Sequence, residues 1–351
     1  MKSFALVLLV LSFALFIAPA PPASPQSRPR TVAGTNGETP PKGVAVGVRP
    51  DEEVVKVDVD LVVLDAIILQ KKTGRVVGGL KPEDFTLYED GVKQEIRHFS
   101  QDTLPLSVIL LIDRGGCLDP FGEQVRAASR AALSRLKPTD EVAVMAYHTT
   151  ANLVEGFTRD RRIISDALDR VPAHEEHGGH CLDAAFHDAA RYMVRAGNPV
   201  GRRVILVITG ITSAFDCPGA PSGKEARQEV FESGSVVCGL IPRTAGQRVE
   251  SGAMRAMTGV GRLFKAPTLR INDLAEETGG EVLTDKPEQL DRAFDTLVEH
   301  LRTRYQMGFV PTNRRRDGTT RKLKLKLAPA VERAQGKLAV KTRQTYVAKN
   351  R

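Results

Sequence analysis

The chain has no Trp and only five Tyr among 351 residues, so an aromatic platform for stacking bases or sugars has little to be built from. It has four cysteines, Cys117, Cys181, Cys217 and Cys238, and none is spaced as C-x-x-C, so a zinc knuckle is not indicated. The glycine-rich stretch 252–261 (GAMRAMTGVG) lacks the G-K-[ST] ending of a phosphate loop. Ser107 lies in no G-x-S-x-G elbow, which argues against a Ser107–His148–Asp113 hydrolase triad. The one long apolar run, Phe4–Ile17, is too short for a comfortable membrane span.

That run follows a single Lys and precedes Ala18-Pro19-Ala20, the pattern of a secretory signal peptide over residues 1–20. The mature chain is expected to be exported, periplasmic or secreted. Residues 21–52, rich in Pro, Gly, Ser and Thr, read as a linker. Export places the cysteines in an oxidising compartment, where they can pair. Cys238, inside the apolar run Ser235–Ile241, reads as a buried small hydrophobe.

The net charge of +8 is unevenly spread. Residues 302–351 hold fifteen Lys or Arg against two acids, which leaves the rest of the chain net acidic. A basic end on an acidic body, in an exported chain with few aromatics, argues against nucleic acid as a partner. The densest positive positions, Arg314, Arg315, Arg316, Lys322, Lys324 and Lys326, are candidates for contact with an anionic envelope surface.

The most informative stretch is Leu104–Cys117, LPLSVILLIDRGGC. A continuous β-branched and apolar run bounded by turn residues is the pattern of a strand buried on both faces, the centre of a parallel sheet. Asp113 sits where that strand runs out, and Gly115-Gly116 follow. Helical periodicity takes over from Phe121 to Leu136 and stops at Lys137-Pro138. Strands and helices then alternate to Thr303, which predicts crossovers and a doubly wound, mostly parallel α/β sheet over residues 103–303. Residues 53–102 and 304–348 instead show β alternation, with a hairpin signal at Asp90-Gly91. Neither segment can form a core alone, so the two are expected to combine into a small antiparallel β domain.

This order, with VDVDLVVLDAIILQKKTGRVVGGLKPEDFTLYEDGVKQEIRHFS (57–100), LPLSVILLID (104–113), DEVAVMAYHTTANLVEGFTRD (140–160), GGHCLDAA (178–185), VILVITG (204–210), LAEETGGEVL (274–283) and LRTRYQMGFVPTN (301–313), resembles the von Willebrand factor A-type domain. More closely it resembles the exported VWFA-related family described from acidobacteria. The resemblance implies an adhesion-type protein-binding module rather than an enzyme. It also implies a metal-ion-dependent adhesion site, Asp-x-Ser-x-Ser with a later Thr and a later Asp, which holds Mg²⁺ through oxygen ligands.

Carried over residue by residue, the first Asp is Asp113, while the two Ser positions fall on Gly115 and Cys117. The Thr position falls on His180 and the last Asp on Thr209. One carboxylate and one hydroxyl are poor compensation for dehydrating Mg²⁺, so no magnesium cofactor is expected. The rival is a soft-metal set of Asp113, Cys117 and His180, suited to zinc and to a metal-dependent hydrolase. A third reading is a disulfide: in such a fold Cys117, Cys181 and Cys217 share one sheet edge, and Cys117–Cys181 is the first choice. A last alternative is a structural envelope protein attached through its basic tail. The cluster His174, Glu175, Glu176, His177 and His180 reads as a solvated loop, because no helical spacing aligns its imidazoles.

Overall fold

A computed structural model describes residues 61–101, 103–171, 179–199, 201–213, 217–243 and 269–348. The expected signal peptide and linker, the cluster 174–178 and the glycine-rich stretch 252–261 lie outside the described residues.

The chain opens with β character. β1 (Val62–Gln70) is followed by β2 (Phe85–Glu89) and β3 (Val92–Gln94), joined by a tight hairpin. Asp90 and Gly91 take φ of 46° and 86°, the two positive values a type I′ turn requires. β4 (Ile96–Ser100) comes next. Lys93–Phe99 reads as one strand by alternation, but the chain changes sheets at Glu95: β3 pairs with β2, and β4 joins a different sheet.

From β5 (Leu106–Asp113) the period changes to α1 (Gly122–Arg135), β6 (Glu141–Tyr147), β7 (Ala151–Thr158), α2 (Arg161–Arg170) and α3 (Leu182–Tyr192). Then follow β8 (Arg202–Ile208), α4 (Gly223–Ser233), β9 (Val236–Pro242), α5 (Ile271–Thr278), β10 (Val282–Asp285) and α6 (Leu290–Arg302). Their six strands form one sheet in the order β10-β9-β8-β5-β6-β7, parallel except for the antiparallel edge strand β7.

Every residue of β5 is buried. Val108 and Leu110 face the side packed by α1, α2 and α6. Ile109 and Leu111 face the side packed by α3, α4 and α5. Burying each such side chain stabilises the fold by roughly 1.5–3 kcal/mol, which is why a strand covered on both faces carries no polar alternation.

The chain then returns to β structure as β11 (Tyr305–Phe309), β12 (Thr320–Leu327), the short α7 (Pro329–Gln335), β13 (Leu338–Thr342) and β14 (Thr345–Val347). The segments before and after the α/β sheet do combine. One antiparallel sheet runs β13-β1-β11-β4 and the other β14-β12-β2-β3. They enclose a shared core that includes Leu64, Phe85, Leu87, Tyr305, Phe309 and Leu325. Sequence and structure thus agree on a mostly parallel α/β sheet with a small antiparallel β domain built from both flanks.

The seam between this β unit and the α/β sheet is polar and internally paired. Arg202 at the start of β8 reaches Asp65 of β1 at 2.7 Å and donates to the Leu301 carbonyl. Arg343 donates to the Gly234 carbonyl, and Arg304 to that of Gly279. Glu281, 6% exposed, joins both sides. Its carboxylate lies 2.5 Å from His300 Nδ1 on α6 and 2.8 Å from Lys341 Nζ on β13. Burial pushes its pKa up, but the hydrogen bonds and charges of His300 and Lys341 outweigh that and bring it down to about 2.

A carboxyl whose folded pKa is depressed stabilises the fold above its ordinary value of 4.5, and that stabilisation is lost as pH falls through about 2. Glu281→Gln is expected to cost on the order of 3 kcal/mol at neutral pH and to flatten the acid limb of the stability curve. Urea denaturation from pH 7 downward measures this. An unchanged acid limb in the variant would show that the seam does not depend on this charge.

Candidate functional site

The parallel register of the α/β sheet places three side chains in a row at its C-terminal edge. Asp113 at the end of β5 is the register partner of Tyr147 at the end of β6. Ile112 is aligned with Ile208 of β8, so Thr209 stands beside Asp113 on the other flank. The backbone then folds back over the carboxylate. Gly115 N–H donates to Asp113 Oδ1 at 2.8 Å. Gly116 turns with φ 92°, and Cys117 returns with Sγ 3.2 Å from Oδ2.

His180 arrives from the loop before α3. The Cys181 N–H donates to the His148 carbonyl at 2.7 Å, which anchors that loop to the end of β6. His180 Nδ1 lies 3.0 Å from both carboxylate oxygens. A carboxylate offers only lone pairs, so Nδ1 carries the proton in this arrangement. The position of His180 also explains Gly115: a Cβ there would overlap the imidazole ring. The glycine and the histidine are one feature, with a ring occupying space that a side chain at 115 would otherwise fill.

Two further donors complete the shell. Thr209 Oγ1 donates to Asp113 Oδ2 at 2.6 Å, its own lone pair accepting from Ile211 N–H at 3.1 Å. Tyr147 OH donates to the same oxygen at 3.1 Å. Asp113 therefore accepts from Gly115, His180, Thr209, Tyr147 and Cys117, five donors for about four lone-pair positions. Burial pushes its pKa up, but the hydrogen bonds from His180, Thr209 and Gly115 outweigh that and hold it below the usual carboxylate range. Burial and the Asp113 charge push the Cys117 thiol up to about 12. The same two causes raise the Tyr147 phenol well above its ordinary value. At neutral pH the arrangement is one anion ringed by protonated donors.

All five residues named from the sequence, Asp113, Gly115, Cys117, His180 and Thr209, are thus brought together. Tyr147 and Gly210 also belong to this arrangement, and neither carries a local sequence signal for it. Tyr147 looks like a core aromatic in EVAVMAY, and only its register with Asp113 marks it as a partner. Gly210 N–H donates to Cys117 Sγ at 3.1 Å, a contact that leaves no trace in the sequence. Ser107 sits at the other end of β5, bonded to Glu141 at 2.7 Å, so no triad forms with Asp113.

The expected Cys117–Cys181 disulfide is corrected. The bridge is Cys181–Cys217, with Cα atoms 5.9 Å apart, and Cys117 is a free thiol. The physical reason is that the Cys117 sulfur is turned onto Asp113 and Gly210, while Cys181 opens α3 and meets the loop that follows β8. Cys238 is free and buried in β9, as its apolar surroundings suggest.

The donor set is chemically short of oxygens for a hard cation. Gly115 brings no side chain, Cys117 is soft, His180 offers nitrogen, and the Thr209 hydroxyl proton is committed to Asp113. Among the described residues the one grouping of three or more metal-ligating side chains is Asp113, Cys117 and His180.

The coupling of Gly115 and His180 has a measurable consequence. Gly115→Ser alone is expected to cost about 1–3 kcal/mol by overpacking against the imidazole. In a His180→Thr background the same change should cost much less, a coupling of at least about 1 kcal/mol in a double-mutant cycle read by urea denaturation. Additive costs would show that the ring does not occupy this space.

The sequence model of the von Willebrand factor type A domain matches residues 108–212, the span from β5 to just past β8. No curated protein matches the chain. Among solved structures, similarity extends to an aerotolerance-related membrane protein from Bacteroides fragilis. Identity there is 17%, with 56% of this chain and 98% of that one covered and a TM-score of 0.39. The vWF domain of the type V pili tip protein Mfa5 from Porphyromonas gingivalis is similar at 10% identity, covering 56% and 95%, with a TM-score of 0.38. A von Willebrand factor type A structure from Catenulispora acidiphila is similar at 14% identity, covering 76% and 71%, with a TM-score of 0.40. Residues 108–212, which hold β5, β6, β7 and β8 of the six-stranded sheet, are thus similar to a von Willebrand factor type A domain.

Proposed function

We propose that the protein is an exported, non-enzymatic interaction module. Its von Willebrand factor type A domain binds a protein partner at the C-terminal edge of the sheet without magnesium. The observation that carries this reading is the saturation of Asp113 by five donors of its own chain. In the adhesion site that the family resemblance implies, a hard cation bridges the domain to a partner's carboxylate. Here the degenerate set makes Asp113 the organiser of the loop after β5 and of the turn at His180, and the loops themselves offer the surface. Asp119 and Pro120 are exposed in the first of these.

A hydrolase reading is less well supported. It would need a base or nucleophile at this edge, and Cys117 is held as a thiol while Asp113 is a depressed, fully engaged carboxylate. Export is supported by the N-terminal pattern and by the Cys181–Cys217 bridge, which persists in oxidising compartments. Among the described residues no helix is long and apolar enough to cross a membrane.

The test is capture of a discrete exported protein on the immobilised mature chain, with and without magnesium. Capture is expected to be equal in both buffers and to be lost in Asp119→Lys/Pro120→Arg. Capture that requires magnesium would overturn the reading.

A second surface is proposed on the outer face of the β14-β12-β2-β3 sheet. Lys322, Lys324 and Lys326 are exposed at alternate positions of β12, with exposed Lys93 of β3 one strand further on, across Tyr88 of β2, and Lys326 Nζ lies 5.2 Å from the Tyr88 ring centre. Exposed Arg314 and Arg315 extend the same charge from the loop preceding β12, with Arg316 half-buried between them and Asp317. Such a face suits an anionic envelope surface. Binding to anionic vesicles should fall steeply with salt and should weaken in Lys322→Gln/Lys324→Gln/Lys326→Gln. Salt-independent binding would contradict it.

A further inference from the structure

We infer that Asp113, Cys117 and His180 form a soft-metal site that takes Zn²⁺ through one carboxylate oxygen, the Cys117 sulfur and His180 Nδ1. This goes beyond the interaction role and is compatible with its magnesium independence, because the two cations ask for opposite ligands.

The geometry is close to what zinc requires. The three donor atoms all lie within 4.8 Å of one another. The Cys117 sulfur is 3.2 Å from Oδ2, and His180 Nδ1 is 3.0 Å from either oxygen. A tetrahedral zinc, with bonds near 2.3 Å to sulfur and 2.0–2.1 Å to nitrogen or oxygen, sets such donors about 3.3–3.6 Å apart. The carboxylate pairs need to open by a few tenths of an ångström, and the Cys117 sulfur and the His180 nitrogen, which lie within 4.8 Å of each other, close by up to about 1.2 Å around the ion. Three protein ligands leave a fourth position for water or an incoming ligand.

The surrounding groups are those a metal–thiolate site uses. Gly210 N–H is already aimed at the sulfur at 3.1 Å. A Cβ on Gly210 would meet the Cys117 Cβ at 3.0 Å, so the close approach depends on glycine. Tyr147 and Thr209 donate to Oδ2 and Gly115 to Oδ1, the role of outer-shell donors that orient a ligating carboxylate. The donors that saturate Asp113 are of two kinds. Those from Tyr147, Thr209 and Gly115 remain hydrogen-bond donors in any state. The S–H of Cys117 and the Nδ1–H of His180 are exchangeable protons, which a soft cation replaces and magnesium does not. On binding, the sulfur ligates as thiolate and its proton leaves to solvent, while the neutral imidazole carries its proton on Nε2.

Cobalt substitution tests this on the purified mature chain. Co²⁺ is expected to give one equivalent of a sulfur-to-cobalt charge-transfer band with the visible absorption of a tetrahedral ion, bleached stoichiometrically by Zn²⁺. Cys181 and Cys217 are bridged and Cys238 is 1% exposed in β9, so that band reports Cys117. Cys117→Ser should abolish the band, and His180→Ala should weaken zinc binding by on the order of 100-fold. Both variants are checked for native far-ultraviolet circular dichroism, and Arg162→Gln, at an exposed position of α2 that touches none of the site residues, should keep the band. Absence of the band in the unmodified protein, or zinc binding unchanged in Cys117→Ser/His180→Ala, would overturn the site. Neither result would touch the magnesium-independent interaction role, which is read by partner capture.

Discussion

A single carboxylate, Asp113, organises the C-terminal edge of the α/β sheet. Its two oxygens draw in a backbone N–H from the loop after β5, a phenol from β6, a hydroxyl from beyond β8 and an imidazole from the loop before α3. Each bond spans a different connection, so one buried anion fixes the relative placement of four chain segments. A buried charge is costly unless paired, and removing any partner leaves the charge less compensated. This is why the loop glycine, the histidine and the free cysteine act as a set rather than as independent positions.

The second organising element is the polar seam between the α/β sheet and the β unit. Composition shows a strongly basic end, and taken alone it points outward to anionic partners. Much of that charge is turned inward. Arg304 and Arg321 are fully buried, and Lys341 and Arg343 bond to Glu281 and to the Gly234 carbonyl. The outward face of β12 keeps a separate row of lysines. One strand thus serves two roles by its two-residue period, with Arg321 inward on Glu89 and Asp317, and Lys322 outward.

What could be read in the sequence follows from local pattern. β5 was legible because a run buried on both faces has no other explanation, and the helices between strands were legible by period and stop signals. The joining of the two flanks was legible because neither could bury a core alone. The breaks at Glu95 and at Arg343-Gln344 were not, because alternation continues across them while the strand changes sheets. α7, Pro329–Gln335, was also missed, being too short for periodicity to declare it. At the site, the five aligned positions came from the family resemblance. Tyr147 depended on register across two strands. The disulfide depended on which thiol the carboxylate would claim, and Cys117 was claimed.

The central claim is that Asp113 is satisfied by its own chain and leaves no oxygen shell for a hard divalent ion. Electron paramagnetic resonance of Mn²⁺ tests it most directly, since the six-line spectrum of the free ion is lost on binding. The account predicts that the free-ion spectrum survives stoichiometric protein at micromolar concentrations and that Asp113→Ala does not alter it. Loss of the free signal at micromolar protein, restored by Asp113→Ala, would contradict the account.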